Sequence, residues 1–70
     1  MKKCTATNKK SKIKYKLFFD LNKTPMTVRV YQIDDNVTHF FEYYSESLKN
    51  ENVDNFIKRV KKEVRTHEDL

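Results

Sequence analysis

The stretch Ile13-Lys14-Tyr15-Lys16-Leu17-Phe18-Phe19-Asp20-Leu21, followed by Asn22-Lys23-Thr24-Pro25 and then Met26-Thr27-Val28-Arg29-Val30-Tyr31, decides the fold. In the first run Ile13, Tyr15, Leu17, Phe19 and Leu21 alternate with Lys14, Lys16, Phe18 and Asp20, the period-2 signature of a half-buried strand. Asn22 to Pro25 carry turn chemistry. A second alternation follows, with Met26, Val28 and Val30 on one face and Thr27, Arg29, Tyr31 and Ile33 on the other. A four-residue loop over 22–25 places Phe19 opposite Val28, Leu17 opposite Val30, Phe18 opposite Arg29 and Lys16 opposite Tyr31. Apolar residues then meet on one face of an antiparallel pair.

Beyond this hairpin, Asp34-Asp35-Asn36 punctuates the chain and residues 37–46 are rich in β-branched and aromatic side chains. A two-residue loop at Asp35-Asn36 predicts Val30 opposite Phe41, Val28 opposite Tyr43, Tyr31 opposite Phe40 and Arg29 opposite Glu42, with His39 facing inward near Gln32. Both turns give the middle strand the same inner face, and a slip of one residue would invert it. The period then changes to 3.6: Val53, Phe56, Ile57, Val60 and Val64 form one stripe, with Lys58, Arg59, Lys61, Lys62 and Glu63 elsewhere. Asn50 or Asn52 can cap this helix, and Glu51 and Asp54 suit its positive end. The prediction is an α+β domain, a three-stranded antiparallel meander with one C-terminal amphipathic helix lying on Leu17, Phe19, Val28, Val30, Phe41 and Tyr43.

Working toward the start, composition changes near residue 12. Residues 1–12 hold no acid and almost nothing apolar, so they are expected to form a flexible, disordered basic arm before a single small domain at 13–70. Deleting residues 1 to 10 is then expected to leave the fold intact. The formal charge of +5 divides unevenly, with +7 in residues 1–16 and −2 in residues 17–70. The picture is a slightly acidic body with a basic extension.

The chain has 70 residues and no glycine, which excludes the phosphate-cradling loops, dinucleotide folds and nucleophile elbows that need backbone at positive φ or in close approach to a ligand. Cys4, His39 and His67 have no zinc-like spacing, and no nucleophile, base and orienting group assemble. A non-enzyme without cofactor or metal is expected. With one cysteine, no internal disulfide can form, and no apolar run approaches the roughly 20 residues of a membrane helix. These features point to the cytoplasm. The Asn22-Lys23-Thr24 and Asn36-Val37-Thr38 sequons then serve as turns.

One helix covers one face of the predicted sheet, so Lys14, Lys16, Phe18, Arg29, Tyr31, Ile33, Phe40, Glu42 and Tyr44 lie on a face left open. Contiguous apolar surface of this kind marks an interface. A larger protein or nucleoprotein, nucleic acid, and a second copy in a homodimer are all candidates for it. Lys9, Lys10, Lys12, Lys14 and Lys16 resemble a phosphate-tracking segment beside aromatics that could stack on bases. Asp34, Asp35, Glu42, Glu46, Glu51 and Asp54 can instead form an acidic patch that steers docking on a basic groove.

Tyr43-Tyr44-Ser45-Glu46-Ser47, Asn50-Glu51 and Val53-Asp54-Asn55-Phe56-Ile57-Lys58-Arg59-Val60-Lys61 resemble the strand-to-helix stretch of the small phage-encoded anti-CRISPR inhibitors of Cas9. The resemblance covers about 25 of the 70 residues. It implies a small inhibitor that blocks a surface of a larger host protein or nucleoprotein, with Asp34, Asp35, Glu42, Glu46 and Glu51 as the contact positions. That family has a helix before its sheet and a strongly acidic surface, whereas this chain begins with lysines and carries a positive total. Phage-type inhibition is therefore the first expectation for function. Nucleic-acid regulation through the lysine arm and open aromatic face is the alternative.

Overall fold

The structure of the chain, a computed structural model, describes the backbone of residues 2–33 and 39–70 and the side chains of residues 2–32 and 43–70. Its elements run β1 (Lys2–Thr7), β2 (Lys14–Asp20), β3 (Thr27–Ile33), β4 (His39–Glu46) and α1 (Val53–Thr66). The strands form one antiparallel sheet in the order β1-β2-β3-β4, so every neighbour in space is a neighbour in sequence. The α+β class and the C-terminal helix agree with the sequence reading. The strand count does not: there are four strands rather than three.

The fourth strand is the segment expected to be a disordered arm. Lys2–Thr7 pairs with β2 along its whole length, with Cys4 opposite Leu17 and Ala6 opposite Tyr15. Ala6 is buried and Cys4 packs against the core, while Lys3, Thr5 and Thr7 are exposed. Two small inward residues give little hydrophobic signal, yet the backbone ladder to β2 pairs the polar groups along one edge of the strand all the same.

The β2–β3 register matches the expected one pair for pair, including Phe19 with Val28 and Leu17 with Val30. The β3–β4 register does not. Val30 pairs with Tyr43 instead of Phe41, Arg29 with Tyr44 instead of Glu42, and Val28 with Ser45 instead of Tyr43. Beyond a shift between Val30 and Tyr31, Tyr31 pairs with Phe41 instead of Phe40, and His39 with Ile33 instead of Gln32. Two residues of β3 there span three of β4, leaving Glu42 as the additional residue of a bulge. Tyr43 keeps its expected inner face because its pairing moved by an even number. Asp34 and Asp35 lie outside the described residues, as do the side chains of Ile33, Phe40 and Glu42.

The core joins Ala6, Tyr15, Leu17, Phe19, Met26, Val28 and Val30 of the sheet side to Phe56, Val60 and Val64 of α1, with Leu70 at its margin. Phe19 and Phe56 meet edge to face with centroids 5.6 Å apart, which contributes about 0.5–1.5 kcal/mol beyond their burial. Ile57 packs at the edge of the core, but Val53, expected on the buried stripe, is 40% exposed. It stands at the first helical position, next to the exposed Asn52 and Asp54. The cap is Asn52, whose Oδ1 accepts from the Asn55 backbone N–H at 2.8 Å. No helix among the described residues is long and apolar enough to cross a membrane.

The other end of α1 is tied to the loop after β1. Asn8 is fully buried; its Nδ2 donates to the Val64 and His67 carbonyls at 2.8 Å each, and its Oδ1 accepts from the Lys10 and Ser11 N–H groups. The Lys9 N–H donates to the Arg65 carbonyl at 2.9 Å. Carbonyls that a helix C-terminus leaves unpaired are thus satisfied from the far end of the chain. Lys12 turns this loop back toward β2 at φ 64°, a left-handed conformation that costs a Cβ-bearing residue about 1–2 kcal/mol.

Asn8→Ala is expected to cost about 2–3 kcal/mol, because it strands the buried Val64 carbonyl and three partly buried partners, and urea denaturation followed by circular dichroism measures it. Deletion of residues 1 to 10, contrary to the expectation for a free arm, should abolish the cooperative transition. A truncated chain with unchanged stability would show that neither β1 nor the Asn8 bonds matter. Lys12→Gly relieves the left-handed backbone and should raise stability by up to about 1 kcal/mol in the same assay.

Candidate functional site

The helix-free face of the sheet is built by alternate residues of four strands. Lys3, Thr5 and Thr7 come from β1, Lys14, Lys16, Phe18 and Asp20 from β2, Thr27, Arg29 and Tyr31 from β3, and Tyr44 and Glu46 from β4. Register places them in cross-strand rows: Lys3-Phe18-Arg29-Tyr44 and Thr5-Lys16-Tyr31 across the middle, and Asp20-Thr27-Glu46 at one end. The sequence-predicted Lys14, Lys16, Phe18, Arg29, Tyr31 and Tyr44 are brought together here. Lys3 was not anticipated, since its place depends on the fourth strand.

The centre of the face is aromatic. Phe18 and Tyr31, both half-buried, meet edge to face with centroids 5.3 Å apart at 86°. The Lys3 Nζ lies 5.7 Å from the Phe18 ring centroid, within reach of a cation–π attraction. Tyr44 is 46% exposed, and Arg29 between it and Phe18 is exposed as well. Positive charge lies on the β1–β2 side, where Lys14 and Lys16 lead into the exposed Lys9, Lys10 and Lys12 of the loop. Asp20 and Glu46 mark the opposite end.

At that acidic end, an open groove of about 730 Å³ runs between the β2–β3 loop and the β4–α1 junction, lined by Leu21, Pro25, Met26, Leu48 and Val53 among others. Leu48 is 61% exposed there. Ser47 holds the junction to β3's approach, its N–H donating to the Met26 carbonyl and its Oγ accepting from the Met26 N–H, both at 2.8 Å.

Glu51 is not a free contact position. Its carboxylate, with the side chain 2% exposed, accepts from Arg59 Nε at 2.9 Å, Arg59 Nη2 at 3.0 Å, Asn55 Nδ2 at 2.6 Å and the Leu48 N–H at 2.9 Å. Arg59 also donates to Glu63 Oε1 and the Glu46 carbonyl, both at 3.0 Å, and Tyr43 donates its hydroxyl to Glu63 Oε2 at 2.5 Å. The Arg59 hydrogen bonds hold the Glu51 carboxyl down at about 2, against the opposing effect of burial. Burial, followed by the Glu63 hydrogen bond, raises the Tyr43 phenol. Of the acids singled out in the sequence, Glu46 alone has a described, exposed side chain on the open face.

Cys4 is half-buried in β1, and His67 sits edge-on to Tyr43 at 5.7 Å while its Nδ1 accepts from the Asp69 N–H; the side chain of His39 lies outside the described residues. Among the described residues no group of three or more His, Cys, Asp or Glu side chains could hold a metal ion. No protein-family model, curated protein or solved structure matches the chain.

The Glu51 clasp has a pH signature. Its folded pKa lies below its ordinary value of 4.5, so the stabilisation is complete above about pH 4.5 and fades as pH falls toward 2. Urea midpoints measured between those limits should drop in the parent chain, and Glu51→Gln should be less stable at neutral pH with a flatter acid limb. Parallel profiles for the two proteins would contradict this account.

Proposed function

We propose that this chain is a small non-enzymatic binding protein that engages nucleic acid through the helix-free face of its sheet. The observation that carries the reading is the placement of β1, which sets Lys3 over Phe18 and extends a row of lysines along one side of an aromatic centre. Aromatic platforms flanked by cations are what nucleic-acid binders use, since rings contact bases or sugars and lysines contact phosphates. Both ion pairs among the described residues belong to Arg59, and neither engages a lysine of this face. The lack of glycine supports the non-enzymatic part of the proposal.

A second reading is the phage-type inhibitor that occupies a surface of a larger protein or nucleoprotein, in the manner of the anti-CRISPR proteins. The groove beside Leu48 and Val53 favours it, because it lies in the strand-to-helix segment that carries the resemblance and exposes apolar side chains. Against the acidic-mimic form of that mechanism, Glu51 is already engaged by Arg59.

Purification of the tagged protein from its host at low salt separates the two. Nucleic acid that co-purifies, is released by a few-fold increase in salt, and is lost with the Lys14→Glu, Lys16→Glu double variant is the expected result. A protein partner retained after nuclease treatment and unaffected by that variant would replace the first reading by the second.

A further inference from the structure

Building on the nucleic-acid reading, we propose that this face takes single strands rather than duplexes, with bases against Phe18, Tyr31 and Tyr44 and phosphates along Lys3, Lys16, Lys14 and the loop that follows β1. The first argument is one of shape. Four strands spaced about 4.8 Å apart make a platform about 14 Å wide, whereas the B-DNA major groove is only about 12 Å wide and admits a helix or a two-stranded ribbon. A broad sheet face can therefore reach the bases of a duplex only by deforming it, at a cost of a few kcal/mol for each unstacked step. Paired bases stay stacked inside the helix, and rings at the middle of the sheet would find nothing to stack on.

The second argument concerns where the rings and charges stand. Phe18 and Tyr31 occupy the two central strands, and Tyr44, the most exposed ring described, is in the same cross-strand row as Phe18. Unpaired bases offer π-faces to such rings whatever their sequence. Lys14 and Lys16 are two residues apart on β2, roughly 7 Å along the strand, so they form a line beside the rings rather than a cluster. Lys9 and Lys10 are exposed in the loop just before Lys14, and its backbone is pinned to α1 by Asn8 and by the Lys9 N–H, which reduces the ordering cost of contact. Asp20 and Glu46 at the other end repel phosphate, confining the backbone to the β1–β2 side.

Fluorescence anisotropy tests this with a labelled oligothymidylate of roughly 15 nucleotides and a mixed-sequence duplex of the same length, each titrated from about 50 to 200 mM salt. The single strand should bind at least about tenfold more tightly. Tyr44→Ala, at an exposed position, should weaken single-strand binding about fivefold or more, with unchanged circular dichroism and unchanged duplex binding. Lys16→Ala should reduce the single-strand salt slope by about 0.7. Equal or tighter duplex binding, or a Tyr44→Ala variant with full affinity, overturns the single-strand inference while leaving nucleic-acid binding in place. Absence of saturable binding to either probe overturns both. A dimer in sedimentation that Tyr44→Lys dissociates would instead assign the face to a second copy of the chain.

Discussion

A helix of fourteen residues is about 21 Å long, enough to lie along a strand but able to cover only one side of a sheet. The remaining organisation of the molecule follows from that limit. Inner positions of the strands are Ala, Tyr, Leu, Phe and Val, closed off by Phe56, Val60 and Val64. Most outer positions among the described residues are exposed or half-buried, and they mix lysine, threonine and arginine with the rings of Phe18, Tyr31 and Tyr44. Rings on a solvated face give up apolar burial that the fold could otherwise have used, and their edge-to-face and cation contacts recover part of it.

The hairpin of β2 and β3 and the helix were legible from residue pattern, because both bury large side chains at a regular period. β1 was not, since an edge strand with Cys4 and Ala6 inward is held by backbone hydrogen bonds more than by apolar area. A weak signal was present in the alternation of Cys4 and Ala6 with Thr5 and Thr7. The lysines that suggested disorder suit a strand at the sheet edge, where they discourage pairing with other chains. The β3–β4 register escaped for a different reason: a bulge adds a residue without leaving a pattern, and the turn at Asp35-Asn36 from which the pairing was counted lies outside the described residues. Of the open face, six of the predicted side chains gathered as expected, and Lys3 became visible only with β1 in place.

Charge in this chain divides by chemistry as well as by position. The guanidinium of Arg59, with its fixed fork of donors, bridges two carboxylates and a carbonyl at the junction of β4 and α1. Ammonium groups carry out no such bridging among the described residues. Of the acids that sequence reasoning grouped into one patch, Glu51 is committed to the fold and Glu46 is exposed on the sheet.

The Asn8 bonds close a loop of 56 residues to Val64 and of 59 to His67, while every strand pairing joins immediate neighbours in the chain. Closing such a loop in a free chain would cost on the order of 3.5 kcal/mol in entropy beyond a constant, but the hairpins shorten the effective path before the ends meet. Chain ends in most small domains fray independently. Here the loop that ends the first strand and the last helical turn hold each other, so loosening either one takes hydrogen-bond partners from the other.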